Sequence, residues 1–399
     1  MQNKSILIFG GGKIGRSFIG QLFGRAGYEI VFSDVNKNLI DALNDRRSYP
    51  VVVKSDAGNE TMEITNVRAV VGSEVNVVRE VSQASIIATS VGKNVLEKII
   101  PLIARGLLER YEKSPASAVD IIIAENMRSA SAFMRGELMK RLPPGFPLDS
   151  FAGLVETSIG KMVPLMTQAD AENDPLAVFA EPYNTLILDG AAFRTPIPDV
   201  PDLAPKENIA AWVDRKAFIH NLGHATVAYY GNYRHPDATY IYEALSDPEV
   251  YDFARAVMHQ SAEILLAEYP SDFTPQALET HIDDLLSRFR NKALKDTIYR
   301  VGQDRIRKLA SDDRFMGAIH LAQKHKKDFS LIYKAMSCAF TFAATDENGN
   351  RSHPDILFDE YLRKGKEYVL RHVCRISDSP QISDLRRVRT TINCSICYM

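Results

Sequence analysis

Ser5-Ile-Leu-Ile-Phe9-Gly10-Gly-Gly-Lys-Ile-Gly15-Arg-Ser-Phe-Ile-Gly20 decides the fold. Its first five residues form a mostly apolar run that stops at the glycines, after which apolar side chains recur at helical spacing through Leu22, Phe23 and Ala26. Strand, glycine turn and helix therefore follow one another. Within the turn lies Gly10-x-Gly12-x-x-Gly15. The first glycine permits the tight turn, the second lets backbone N–H groups approach a pyrophosphate, and the third lets helix pack on strand. Tyr28-Glu-Ile-Val-Phe-Ser33 reads as a second strand ending at Asp34, about nineteen residues past Gly15. A carboxylate there accepts hydrogen bonds from the adenosine ribose and repels a 2′-phosphate, which favours NAD over NADP. Gly10, Gly11, Gly12, Lys13, Ile14, Gly15 and Asp34 are the expected cofactor contacts.

Outward from this turn the α/β pattern continues. Residues 49–53 and 63–70 are alternating or β-branched and read as strands. Ser85-Ile-Ile-Ala-Thr-Ser-Val91-Gly92 is a buried strand ending in a small-residue turn, at the carboxyl edge where cofactors lie in a doubly wound sheet. Residues 94–108 carry helical periodicity, and Ala118-Val-Asp-Ile-Ile-Ile-Ala124 is again a strand, delivering Glu125-Asn126-Met127 to the same edge. Asn126 there either touches a ligand or caps a helix. Residues 143–147 mark a loop.

Residues 191–205 carry four prolines and read as a linker. Beyond them strand signals nearly vanish: residues 212–229, 238–245, 247–268 and 274–289 read as helices, followed by 313–324, 329–345 and 355–371. The expectation is an α/β protein of two domains: a Rossmann-type doubly wound parallel sheet holding NAD over residues 1–192, and a mainly helical substrate and catalytic domain over 193–376, with substrate in the cleft. Residues 377–399 are polar, basic and unpatterned, and read as a partly ordered tail.

The chemistry is expected in Trp212-Val-Asp-Arg-Lys216-Ala-Phe-Ile-His-Asn221-Leu-Gly-His224-Ala-Thr-Val-Ala-Tyr-Tyr-Gly231. At about 100° per residue, Asn221 and His224 share a helix face, and the Lys216 stem reaches that face from about two turns earlier. An amine, an amide and an imidazole suit oxidation of a carbinol or reduction of a ketone. The lysine takes the hydroxyl proton at neutral pH only if desolvation or a neighbouring cation lowers its pKa. Asn221 and His224 would donate hydrogen bonds to the oxygen as it gains negative charge. Spacing alone equally permits a solvent-facing lysine with a core-satisfied Asn and His.

Lys216-x4-Asn221-x2-His224 resembles the signature of the polyol-specific long-chain dehydrogenase/reductase family, and Val-Asp-Arg-Lys-x4-Asn-x-Gly-His-Ala most resembles its mannitol-1-phosphate 5-dehydrogenase branch. The resemblance implies Lys216 as catalytic base, Asn221 in the oxyanion hole and His224 on substrate hydroxyls. It spans roughly Lys4 to Val373. Thr89-Ser-Val91-Gly92 is similar to the family's Thr-x-Val-Gly segment beside the nicotinamide half of the cofactor, and Glu125-Asn126-Met127 to its Glu-Asn-Met, so Thr89, Val91, Gly92 and Asn126 join the expected cofactor contacts. In Phe151-Ala-Gly-Leu-Val-Glu156-Thr-Ser-Ile-Gly-Lys161-Met-Val-Pro164, Glu156 falls where members carry a substrate-proximal Asn or acid. Gly160 and Lys161 depart from the family's Asp-Arg there. Val178-Phe-Ala-Glu181-Pro-Tyr-Asn-Thr-Leu-Ile-Leu188 resembles a family strand crossing between the halves. The charged run from Asn291 to Arg314 alone reads as a solvated face, but it resembles the family's Arg-Val-Gly, Arg-Lys-Leu and Asp-Arg segments, which implies that Arg300 and Lys308 point at the polyol. Such cations would suit a substrate phosphate or carboxylate, with Arg194 and Arg307 as further candidates.

The implied activity is metal-independent, NAD-linked interconversion of D-mannitol 1-phosphate and D-fructose 6-phosphate. The alternatives are reduction of a hexuronate such as fructuronate or tagaturonate, and a non-catalytic NAD-binding regulator. With 45% hydrophobic residues, 25% charged residues and a formal net charge of −2 in 399 residues, the chain has room for two cores and no global basic field. A small molecule is expected as partner rather than nucleic acid or membrane, in a monomer or small homo-oligomer. The apolar run from Ile6 to Phe9 is too short for a signal peptide, and Cys338, Cys374, Cys394 and Cys397 make no disulfide framework, so a cytoplasmic setting is expected. Cys394-Ser-Ile-Cys397 lacks the second pair of a metal site.

Overall fold

The computed structural model describes residues 4–72 and 74–376. The chain divides into two compact units between Val213 and Asp214. The first contains strands β1 (Ser5–Phe9), β2 (Glu29–Asp34), β3 (Ser48–Ser55), β4 (Gly58–Thr65), β5 (Val67–Val71), β6 (Ile86–Thr89), β7 (Val119–Ile123), β8 (Ala152–Ser158), β9 (Val178–Ala180), β10 (Leu186–Asp189) and β11 (Leu203–Lys206). Eight form one sheet in the order β11-β10-β8-β7-β6-β1-β2-β5, and the other three form a small sheet, β4-β3-β9. The run from β8 to β5 is parallel throughout. At the far edge β10 turns antiparallel to β8.

Strand β1 is apolar on both sides because both sides are covered. Ile6 and Ile8 enter a core with Phe18, Phe32 and Tyr49. Leu7 and Phe9 enter a second core, on the opposite face, with Leu96, Ile100, Ile103 and Met134. The chain leaves β1 for β2 and β5 on one side and returns to β6, β7 and β8 on the other. This reversal of strand order, at the carboxyl ends of β1 and β6, is the crevice where doubly wound sheets bind ligands.

Three expectations change in detail. Residues 63–70 are two strands, broken at Asn66 in the left-handed region (φ 58°), where the chain passes from the small sheet to the large one. The expected crossing strand over 178–188 is likewise two, because β9 pairs with β3 and β10 with β8. The proline-rich stretch is not all linker: β11 begins inside it and pairs with β10 at the sheet edge, where Pro205 can be accommodated without an amide.

The second unit is helical, and its one β pairing among the described residues is the bridge between Tyr240 and Thr297. Helices Pro248–Glu268 and Pro275–Phe289 start as the sequence predicts, with Asp247 and Thr274 capping and proline at the first position. Residues 355–371 are two helices, His353–Arg363 and Lys366–His372, separated at Gly365 (φ 111°). The charged run is not simply a solvated face, because Arg305 is fully buried, donating through Nε to Asp355 Oδ1 at 2.9 Å and through Nη2 to Asp359 Oδ1 at 2.6 Å. Among the described residues no helix is long and apolar enough to cross a membrane. The tail 377–399, with Cys394 and Cys397, lies outside the described residues.

Candidate active site

In the first unit, the three glycines of the turn are required for different reasons. Gly10 has φ 96°, and a Cβ there would stand 2.6 Å from the Ser90 carbonyl oxygen. A Cβ on Gly15 would stand 2.0 Å from the Gly10 carbonyl oxygen. Neither backbone obstacle can swing aside. Gly12 has nothing within 4 Å of the corresponding position, so its missing side chain leaves open space of the kind a pyrophosphate needs. Lys13 is exposed and Ile14 half-buried beside it. Asp34 Oδ2 accepts from the Gly11 amide at 2.8 Å and Oδ1 from the Asn36 amide at 2.9 Å. A carboxylate has lone pairs to spare beyond these two, so ribose hydroxyls can still donate to it. Buried Arg16 ties the turn down, its Nε donating to Gly11 O at 2.7 Å and Nη1 to Leu176 O at 2.6 Å. These residues fit a dinucleotide.

Beside the turn, Thr89 is buried at the end of β6, whereas Gly92 is exposed with φ 85°. The Glu125 carboxylate accepts from the amides of Val91 at 2.9 Å and Gly92 at 2.8 Å. Burial holds its carboxyl above the ordinary range in spite of these bonds. Sequence reasoning singled out the exposed Asn126 and passed over this acid next to it, whose task is to shape the Val91-Gly92 turn.

Glu156 lies on β8 opposite Ile123, buried, accepting from the Ser131 hydroxyl at 2.8 Å. Lys161 turns into the interior of the first unit: its ammonium donates to Asn184 Oδ1 at 2.7 Å and Gln21 Oε1 at 3.3 Å and lies 5.2 Å from the centre of the Phe18 ring. Arg194 is spent on the backbone, donating to carbonyls of Asp149, Ala191, Ala192 and Phe193.

In the second unit the expected helix departs from α geometry where the expected chemistry lies. Ile209–Arg215 is α, Lys216–Asn221 is a π turn, and Leu222–Arg234 is α again. Five-residue hydrogen bonds place more residues in each turn, so the 100° arithmetic does not carry from Lys216 to Asn221. Single π turns inside α-helices are frequent at functional sites.

Burial, then the neighbouring Arg314 guanidinium, brings the Lys216 ammonium down to about 8, while Asp313 opposes them. Arg314 is itself buried: its Nε donates to Asp313 Oδ1 at 2.7 Å and its Nη1 to the Asn221 carbonyl at 3.2 Å. The cation that lowers the Lys216 pKa thus also holds the backbone of the residue that carries the amide. His224 stacks on Phe289, ring centres 4.4 Å apart and 7° from parallel. Its Nε2 stands 3.1 Å from Asp296 Oδ2, an ion-pair separation without the alignment of a hydrogen bond. Burial lowers the His224 pKa and Asp296 works against it, which keeps the ring neutral at physiological pH. Asp296 is buried too, yet His224 and Arg300 hold its carboxyl below the ordinary range.

Arg300 reaches Asp296 Oδ1 through Nε at 2.7 Å and Nη2 at 2.6 Å, leaving its side chain 38% exposed. Lys308 is buried with its amine on the Gln303 carbonyl, and burial, Arg314 and Arg307 push its pKa far down. Arg307 pairs with Asp304 at 2.7 Å and with Asp313 at 3.4 Å. Arg314 is among the charges acting on Lys216, His224 and Lys308 alike. Asp296 and Phe289 escaped sequence reasoning, and Asp313-Arg314 was read only as resembling a family segment, with no site role. The Asp-Arg pair at 313–314 was the available signal; Asp296 and Phe289 had none, because their partners are distant in sequence. Among the described residues no group of three or more His, Cys, Asp or Glu is placed to hold a metal ion.

A sheet of this strand order with a glycine turn and strand-end carboxylate, followed by a helical unit carrying a desolvated amine, defines a class: dehydrogenases built from a Rossmann domain and a helical C-terminal domain. The chain belongs to the mannitol dehydrogenase family, whose Rossmann domain matches residues 4–201 and whose C-terminal domain matches residues 208–373. The expected fold class and the polyol dehydrogenase resemblance are both borne out. Among solved structures, a substrate-free D-sorbitol dehydrogenase matches with a TM-score of 0.77 at 15% identity, over 98% of this chain and 93% of that one. Mannitol 2-dehydrogenase from Pseudomonas fluorescens, solved as a ternary complex with NAD and D-mannitol, matches with a TM-score of 0.76 at 14% identity, over 97% and 90%. At these identities the likeness is one of fold.

Proposed function

We propose that the chain interconverts D-mannitol 1-phosphate and D-fructose 6-phosphate with NAD, Lys216 acting as general base in oxidation and general acid in reduction. The observation that carries this is the Lys216 amine, brought by burial and Arg314 to about 8 within the helix that also bears Asn221 and His224. The Gly10–Gly15 backbone and the Asp34 carboxylate would hold NAD, which supplies the acceptor for the hydride leaving the carbinol carbon. Neutral Lys216 Nζ takes the hydroxyl proton and becomes an ammonium, so one hydride and one proton leave the alcohol and a ketone remains. Asn221 and His224 hydrogen-bond the substrate oxygens as negative charge grows.

An anionic substrate could be met by Arg300 and Arg307, whose side chains are 38% and 50% exposed beside their carboxylate partners. The mannitol 2-dehydrogenase of similar fold was solved with NAD and a hexitol, which agrees with a polyol reaction here. Loss of NADH absorbance with fructose 6-phosphate, compared with fructuronate and tagaturonate, tests the proposal. Preference for the sugar phosphate is expected. Preference for a keto acid would move the assignment to a hexuronate reductase, and NADH binding without turnover on any of them would leave a regulator.

A further inference from the structure

Among the described residues the helices contain two π turns, Gly15–Gly20 directly after the cofactor glycines and Lys216–Asn221. Both therefore fall where the proposed function needs accurate placement. In the second, the Leu222 amide donates to the carbonyls of Ala217 and Ile219 and bypasses Phe218 O, the acceptor it would have in an α-helix. A carbonyl so bypassed inside a protein needs another donor. Ser261, fully buried on Pro248–Glu268, supplies it: its Oγ donates to Phe218 O at 2.6 Å. Glycines make room around the turn, since a Cβ on Gly317 would stand 2.5 Å from the Phe218 ring and one on Gly223 2.5 Å from Met258 Sδ.

The first π turn is bound at a different carbonyl, because the Gln21 amide donates to Phe18 O and bypasses Ser17 O rather than Arg16 O. Tyr49, fully buried on β3, donates from its hydroxyl to Arg16 O at 2.9 Å. Gly20 permits the approach, because a Cβ there would stand 2.4 Å from the Tyr49 hydroxyl oxygen. Burial keeps the Tyr49 phenol protonated, so it remains a donor at every physiological pH.

Which way Lys216 points relative to Asn221 depends on whether the turn is π or α, since in an α-helix residues five apart lie about 140° apart around the axis. Removing the hydroxyl that satisfies Phe218 O penalises the π form and favours relaxation toward α. We infer that the buried hydroxyl of Ser261 is a positioning group that holds the second π turn and aims Lys216 and Asn221, and that the buried Tyr49 hydroxyl, through the Arg16 carbonyl, positions the turn that follows the cofactor glycines. The inference rests on the proposed function for its kinetic readout.

The test uses full-length Ser261→Ala, Ser261→Cys, Tyr49→Phe and Lys216→Met. For Ser261→Ala, kcat for polyol phosphate oxidation should fall by roughly 10- to 100-fold with KM and NADH affinity little changed, and the rising limb of the pH profile should move because the amine leaves its surroundings. Ser261→Cys, which keeps the bulk and only a weak donor, should show the same changes in smaller degree, and it carries the test if the alanine variant does not fold. Tyr49→Phe should weaken NADH binding about tenfold and leave the pH limb in place. A folded Ser261 variant with wild-type kcat and an unmoved limb overturns the role of Ser261, even if its Tm has dropped, and unchanged NADH affinity in Tyr49→Phe overturns that of Tyr49. Retained turnover in Lys216→Met would instead overturn the proposed function itself.

Discussion

An amine is a useful base only where water cannot hold its proton, and at Lys216 burial and the Arg314 guanidinium both act in that direction. With the ammonium at about 8, the neutral fraction falls tenfold for each pH unit below that value. The kcat/KM for polyol phosphate oxidation should therefore rise with pH, level off above about 8, and for ketone reduction run the opposite way. Arg314→Gln removes a charge that lowers this pKa and leaves Asp313, which raises it, paired with Arg307 alone. Both changes favour the protonated amine, so the rising limb should move to higher pH, as pH–rate profiles of the two proteins would show. At this scale the sequence was informative about Lys216, Asn221 and His224, because all three lie within one short helical stretch. It was silent about Asp296, because a buried carboxylate 72 residues from His224 is joined to it only by folding.

Among elements, the glycine turn separates packing from binding. Gly15→Ala must push a Cβ into the Gly10 carbonyl, whereas Gly12→Ala meets no atom of the protein. Gly12→Ala should keep the wild-type Tm while losing most NADH affinity in fluorescence titration, and Gly15→Ala should lower both. The short helix Arg305–Lys308 makes a different case, because Arg305 is wholly buried and bonded to Asp355, itself 1% exposed. Arg305→Ala would leave that carboxylate buried and unpaired, at a cost of about 3–5 kcal/mol in urea denaturation. Periodicity placed the long helices well, since caps and prolines mark their starts. It could not show the π turn at Lys216–Asn221: the sequence there reads as ordinary helix, and the extra residue per turn is sustained by Ser261 Oγ on Phe218 O, from another helix.

For the whole molecule, the expected cofactor contacts belong to the unit that ends at Val213 and the proposed proton-handling groups to the unit that begins at Asp214. Lys216→Met should therefore bind NADH with wild-type affinity while turnover falls by about 10²- to 10⁴-fold, as titration and steady-state assay together would show. The sequence by itself determined the doubly wound sheet, its glycine turn and strand-end Asp34, the helical second half, and the family. These are properties of local pattern, because strand and helix periods and turn-forming glycines act over a few residues. Tertiary structure alone decided that β10 runs antiparallel to β8, that Lys161 folds inward to Asn184, that Arg314 lowers the Lys216 pKa and donates to the Asn221 carbonyl, and that the helix bearing Lys216 is widened by a π turn. Each of these depends on desolvation or on a hydrogen bond between residues far apart in the chain, and neither exists until the chain has packed.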